Sequence, residues 1–134
     1  MNGLTDVLQG WMSEGCFCYL DDVDLFYRVS GEEQEDLPWL VCFHGFPTSS
    51  WDWHLLLPYL EQSHRVLVFD FPGYGLSGKP PGRSYSLLRQ LDAAEALLDH
   101  LGIQSFDLLA HDMGNSVACE LLRRREQGEY RFRL

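Results

Sequence analysis

Apolar residues fall along this chain in two rhythms. Residues 40–43 (Leu-Val-Cys-Phe) and 66–69 (Val-Leu-Val-Phe) are unbroken apolar runs, and 106–110 is a third short run ahead of a turn. Runs of this length, each stopped by Gly, Pro, His or Asp, predict strands buried on both faces. After the second run, Leu87, Leu91, Ala94, Leu98 and Leu101 recur at spacings of 4, 3, 4 and 3. That spacing puts them on one face of a helix, with Ser86 as its N-cap and Gly102 at the left-handed position past its end. A further helix is predicted over 117–125, with Ala118, Leu121 and Leu122 facing inward. Ser49 or Ser50 can cap a helix carrying Trp53, Leu56, Leu57 and Leu60, which Pro58 ends or bends.

The ends of the chain add smaller elements. Residues 16–20 and 24–29 are β-rich runs around Asp21-Asp22 and read as a hairpin. Leu4, Val7, Leu8, Trp11 and Met12 mark one face of a short amphipathic helix within 1–15, expected to pack on the domain rather than on a membrane surface. Tyr130, Phe132 and Leu134 alternate with arginines, as at the start of another strand. Strands alternating with helices after an initial hairpin predict one α/β domain over 1–134, its sheet mostly parallel and covered on both sides. Ligands of such sheets bind at the carboxyl ends of the strands, where loops 44–50, 70–79 and 110–115 would meet.

Composition narrows the function classes. Hydrophobic residues make up 46% of the 134 positions, enough for a packed core and against disorder. The net charge of −10 argues against a nucleic-acid partner. Glu32, Glu33, Glu35 and Asp36 form an acidic run that reads as a solvated loop. Of the four cysteines, Cys42 and Cys119 lie in apolar runs and read as small buried hydrophobes; Cys16 and Cys18 complete a set with no zinc spacing and no disulfide framework. An intracellular, cytoplasmic location is the expectation from this cysteine usage. No apolar run approaches the ~20 residues of a membrane-spanning helix, and the start lacks the basic and apolar blocks of a signal peptide.

Two motifs can carry chemistry. Gly73-Tyr-Gly-Leu-Ser-Gly78 matches a dinucleotide fingerprint in letters only. Lys79-Pro-Pro-Gly82 follows it where a helix should open, so it reads as a tight loop. Ala110-His-Asp-Met-Gly114 has the small-x-nucleophile-x-small spacing of a nucleophile elbow, with Asp112 at its centre. Small residues on both sides let strand and helix approach closely, and the next helix aims its positive end at the carboxylate. From this pentapeptide alone, Asp112 reads equally well as a helix N-cap. Ser116 falls two positions past the turn, inside the helix. His44-Gly-Phe-Pro47 ends a strand and can present the Phe46 N–H to the same crevice, where it would pair with the Met113 N–H as an oxyanion hole. His44 itself reads as a residue that fixes this loop, and His54, His64 and His100 as surface or packing residues.

With these motifs in order, the chain resembles the α/β-hydrolase superfamily over essentially its whole length. The Asp-centred elbow is similar to that of the epoxide hydrolase and haloalkane dehalogenase branch. Phe69-Asp-Phe-Pro-Gly-Tyr-Gly-Leu-Ser77, Tyr85-Ser86, Glu95-Ala-Leu-Leu98 and His100-Leu-Gly-Ile103 resemble the mesoderm-specific transcript type within it. The resemblance implies that Asp112 attacks an sp³ carbon of a small-molecule substrate to form an alkyl-enzyme ester, which a His-activated water then hydrolyses, with no metal or organic cofactor. It favours an epoxide, because Met113 stands where dehalogenases of this branch carry a halide-binding Trp. It also implies an acid and a His after the nucleophile, whereas Glu120, Glu126 and Glu129 follow Asp112 here and no His does. The expectation is therefore the N-terminal part of such a hydrolase, its sheet cut off after the elbow helix and inactive alone. The alternatives are a non-catalytic short form that offers its unfinished sheet edge to a partner chain, or a domain completed by another chain. The resemblance leaves membrane association open, with the endoplasmic reticulum as the alternative location.

Overall fold

The computed structural model describes residues 3–129 and 132–134. Helix α1 (Gly3–Ser13) precedes a hairpin of β1 (Cys16–Leu20) and β2 (Val23–Ser30). Then come β3 (Trp39–Phe43), a 3₁₀ helix (Ser50–Trp53), α2 (Leu57–Leu60), β4 (Arg65–Phe69), α3 (Leu87–Leu101), β5 (Asp107–Ala110) and α4 (Met113–Glu126). The five strands form one sheet in the order β1-β2-β4-β3-β5. Its hairpin side is antiparallel, β1 to β2 and β2 to β4, while β3 pairs in parallel with both β4 and β5. The sheet is thus mixed rather than mostly parallel, because the hairpin contributes as many ladders as the βαβ units do.

Alternation along β3 and β4 sends their residues into two cores. Val41, Phe43, Leu67 and Phe69 meet Leu91, Leu98, Val117 and Leu121 from α3 and α4. Leu40, Cys42, Val66 and Val68 meet Trp11, Phe26, Trp53 and Leu57 on the other face. Each such side chain contributes about 1.5–3 kcal/mol by leaving water, which is why the two sequences read as unbroken apolar runs. The turn between β1 and β2 uses two residues with positive φ, Asp21 (53°) and Asp22 (62°), the arrangement whose twist suits a two-residue hairpin. Arg83 holds it down through a 2.7 Å ion pair to the Asp21 carboxylate, and Arg89 adds a second at 3.3 Å.

Several expectations are corrected. The helix expected across Trp53 to Leu60 is two short pieces: Ser49 caps the 3₁₀ helix, and Pro58 sits at the start of α2 rather than at an end. In α1, Trp11 is buried, but Val7, Leu8 and Met12 are exposed. Leu87 and Leu122 are exposed as well, and the buried stripe of α3 gains Ala93 and Leu97. β5 lies at the sheet edge with Asp107 exposed and the rest half-buried, so it is not covered as β3 and β4 are. Cys119 points outward from α4 and is exposed. The strand expected from Tyr130 falls partly outside the described residues; its end forms an isolated parallel bridge, Arg133 to Ser105.

Candidate active site

The parallel register levels the ends of the strands: Cys42 pairs with Val68, and Phe43 with Ala110. Loops 44–50, 70–79 and 110–113 therefore leave the sheet at one edge. The turn from β5 into α4 takes only His111 and Asp112. Two glycines make that possible. A Cβ on Gly114 would lie 2.4 Å from the Phe43 carbonyl oxygen, and one on Gly45 would lie 2.7 Å from the Cβ of Asp112.

At the tip, Asp112 has φ 53° and ψ −121°, a conformation an L-residue keeps only when its surroundings impose it. Its Oδ1 accepts two backbone hydrogen bonds, from the Phe46 N–H at 2.9 Å and the Met113 N–H at 2.7 Å. These two donors, the Phe46 one first, hold the Asp112 carboxyl below the usual carboxylate range. Among the described residues, nothing donates to Oδ2. The structure thus brings together Asp112, Phe46 and Met113, and Asp112 is both the N-cap of α4 and the centre of a strained turn. A plain N-cap takes an extended backbone, so capping alone does not explain this geometry. Ser116 lies exposed within α4, beyond the turn.

The loop that presents Phe46 is tied at both ends. His44 is fully buried; its Nδ1 lies 2.8 Å from the Gly45 carbonyl, and its Nε2 accepts from the Phe71 N–H at 3.0 Å. Donating at Nδ1 and accepting at Nε2 requires the neutral ring, and burial pushes the His44 pKa down accordingly. At the other end, the buried Asp70 carboxyl accepts from the Ser50 N–H at 2.7 Å through Oδ1 and from the Leu76 N–H at 2.8 Å through Oδ2. In the sequence Asp70 is simply the polar residue that stops a strand; its place directly after a buried apolar run is the signal that a polar group must be satisfied there. His111 escapes sequence reasoning as well: it flanks the tip of the elbow, exposed, with its ring against Gly45. Of the other rings, His54 stacks on Trp51 and His64 approaches Asp107.

The sequence pattern of the alpha/beta hydrolase fold family matches residues 38–128, the span that holds β3, the 44–50 loop and the elbow. The chain belongs to the α/β-hydrolase fold family. The mesoderm-specific transcript homolog protein of Bos taurus is 43% identical over 127 residues, covering 92% of this chain and 38% of that relative. This hydrolase-fold chain therefore spans well under half the length of the relatives it matches. Haloalkane dehalogenase DbeA from Bradyrhizobium elkani superposes with a TM-score of 0.77 at 36% identity, over 84% of this chain and 38% of its own. Epoxide hydrolase VrEH1 from Vigna radiata superposes with a TM-score of 0.74 at 27% identity, over 86% and 38%. The chain thus resembles both haloalkane dehalogenases and epoxide hydrolases. Among the described residues no helix is long and apolar enough to cross a membrane. No cluster of three His, Cys, Asp or Glu side chains there could hold a metal ion. A cavity of about 420 Å³ opens in the β4–α3 loop between Tyr74, Pro80, Pro81 and Tyr85, and it does not include Asp112.

Proposed function

We propose that this chain carries the nucleophile half of a hydrolase that works through an alkyl ester on Asp112. The observation that carries the reading is the strained Asp112 backbone with Oδ1 fastened by two N–H donors, which leaves Oδ2 as the attacking oxygen. Oδ2 attacks a carbon of an epoxide, the ring C–O bond breaks, and the alkoxide takes a proton from water. The product is a hydroxyalkyl ester. Water then adds to the ester carbonyl carbon. Charge developing on Oδ1 in that step meets the Phe46 and Met113 N–H groups, a type of stabilisation worth ~3–4 kcal/mol per donor. An epoxide is favoured over an alkyl halide because the Phe46 and Met113 side chains offer a departing halide no N–H. No metal or organic cofactor enters either step. The second step needs a base, which in this fold follows the nucleophile in the chain. No His follows Asp112 in this sequence. The His44 ring is engaged on both nitrogens, His54 and His64 are packed elsewhere, and His111, next to Asp112 in the turn, lies with its ring against Gly45. The ester therefore accumulates on the isolated chain.

Incubating the chain with excess styrene oxide tests this by intact mass. One added epoxide mass, mapped to the peptide holding Asp112 and missing from Asp112→Asn, is the expected result. Asn is also a good N-cap, so the variant keeps α4. An unmodified wild type, or equal labelling of the variant, overturns the proposal.

A second reading rests on β5. Among the described residues no strand pairs with its outer side, the Arg133 bridge meeting Ser105 ahead of the strand, and an open edge accepts a partner strand. In that reading the chain is a non-catalytic module, and it stays unlabelled while eluting as a complex with a second chain.

A further inference from the structure

Two consecutive residues, Asp70 and Phe71, grip the two ends of the loop that carries Phe46. The Phe71 N–H holds His44, and the Asp70 carboxyl holds the Ser50 N–H. Asp70 is only 1% exposed, yet it takes no part in the chemistry proposed above. Its other oxygen binds the Leu76 N–H, and its own carbonyl accepts from the Ser77 hydroxyl at 2.6 Å. Gly75 closes over this group. A Cβ there would lie 2.3 Å from Asp70 Oδ2 and 2.8 Å from the Ser49 Cβ, and its φ is +53°. The carboxyl is thus held in a fitted cradle, and one of its oxygens faces the loop that carries Phe46.

We propose that Asp70 is a positioning residue that sets the aim of the Phe46 N–H at Asp112 Oδ1 by fixing the far end of the 44–50 loop. The connection is short. From Ser50 the chain runs back through Ser49 to Thr48, whose N–H and hydroxyl both donate to the Gly45 carbonyl at 3.2 Å. Gly45 directly precedes Phe46 and packs against the Asp112 Cβ. A loop closed on itself in this way moves as a unit. When Asp70 lets go of Ser50, the loop pivots on His44, and the first contact to lengthen is Phe46 N–H to Asp112. This inference builds on the assignment of Asp112 as nucleophile, but its test does not use epoxide chemistry.

The readout is the titration of the Asp112 carboxyl, followed by carbon NMR in the wild type, in Asp70→Asn and in Leu98→Ala. The last is a core truncation on α3 that destabilises without touching the loop. Asp70→Asn keeps the side-chain volume but must offer an amide N–H to one of two backbone donors. In Asp70→Asn the Asp112 midpoint should rise toward that of an ordinary Asp, and Phe46 amide exchange should quicken roughly tenfold, as for loss of one hydrogen bond. Leu98→Ala should leave the midpoint in place. If both variants lose stability and neither moves the midpoint, Asp70 is a structural residue only and the proposal falls. Should Asp70→Asn not fold, amide exchange on the unmodified chain decides. Matched protection of Phe46 and Ser50 supports a loop that opens as one, whereas a Phe46 amide exchanging freely beside a protected Ser50 refutes it. Failed labelling by the epoxide together with a shifted midpoint would remove the nucleophile role and leave the positioning intact.

Discussion

Replacing Gly114 by Ala tests the close approach on which the elbow depends. Gly114 is the second residue of α4, and a Cβ there would sit 2.4 Å from the Phe43 carbonyl oxygen and 2.6 Å from that of His44. Ordinary carbon–oxygen contacts fall near ~3.3 Å, so the overlap approaches an ångström. Both carbonyls are backbone, and the Phe43 one also accepts the His111 N–H at 3.2 Å, so neither can turn away cheaply. In an open helix the same change gains ~0.8–1 kcal/mol; overpacking costs ~1–3 kcal/mol or more. With two fixed oxygens in the way the cost should dominate, for a net loss of about 2 kcal/mol. Gly10 supplies the control. It lies inside α1, and a Cβ added there would meet nothing within 4 Å, so Gly10→Ala should gain up to ~1 kcal/mol. In urea unfolding followed by circular dichroism, Gly114→Ala should lower the midpoint by about 1 M, while Gly10→Ala raises it. If Gly114→Ala unfolds with the wild type while Gly10→Ala stabilises, the strand and helix are not packed as described, and the strain at Asp112 loses its cause.

Other consequences can be measured separately. Burial pushes the Cys42 thiol up to about 12, whereas Cys16 and Cys119 are exposed. Iodoacetamide near pH 8 should therefore label Cys16 and Cys119 and spare Cys42 until urea opens the fold; early labelling of Cys42 would contradict a closed second core. His44 is buried in its neutral form, with a folded pKa below the ordinary histidine value of 6.5. The unfolded chain then binds the proton more readily, so stability is full above about pH 6.5 and declines as pH falls below it. Urea midpoints at a series of pH values from 7.5 to 5 should drop in the wild type and drop less in His44→Asn; parallel curves would count against a neutral, loop-fixing ring.

Sequence patterns are legible where one physical demand dominates. Strands covered on both faces must be apolar at every position, so 40–43 and 66–69 announce β3 and β4. Helix α3 declares itself by spacing and by both caps, the Ser86 oxygen accepting from the Arg89 N–H and Gly102 turning left-handed at φ 69°. Spacing names a face but not how far a neighbour covers it. Leu87 opens the first turn of α3 and stays exposed, and Leu122 lies one residue round from the buried Leu121. Cys119 shows the same limit: Ala118 and Leu121 close by in sequence are buried apolar residues, yet it sits on the outer side of α4. Pro58 resembles a stop because nothing local shows that a new helix begins there, although a proline suits a helix start. The elbow is legible as a pattern of small residues, but its decisive property is a backbone angle that neighbours impose. As a clamp Asp70 is invisible in the sequence, since its partners lie 20 and 6 residues away and are backbone N–H groups.

The contact between Phe46 and Asp112 joins residues 66 positions apart, which orders events during synthesis. A ribosome that has released the chain through Phe71, just past β4, has already delivered His44, Phe46 and Asp70, so the loop can be anchored at both ends before Asp112 exists. The Phe46 N–H then waits without its partner until the β5–α4 turn emerges and docks against Phe43. Completion of the site is therefore a late, long-range closure, and the Asp112 carboxylate meets the Phe46 N–H only once the scaffold that presents this donor is already in place.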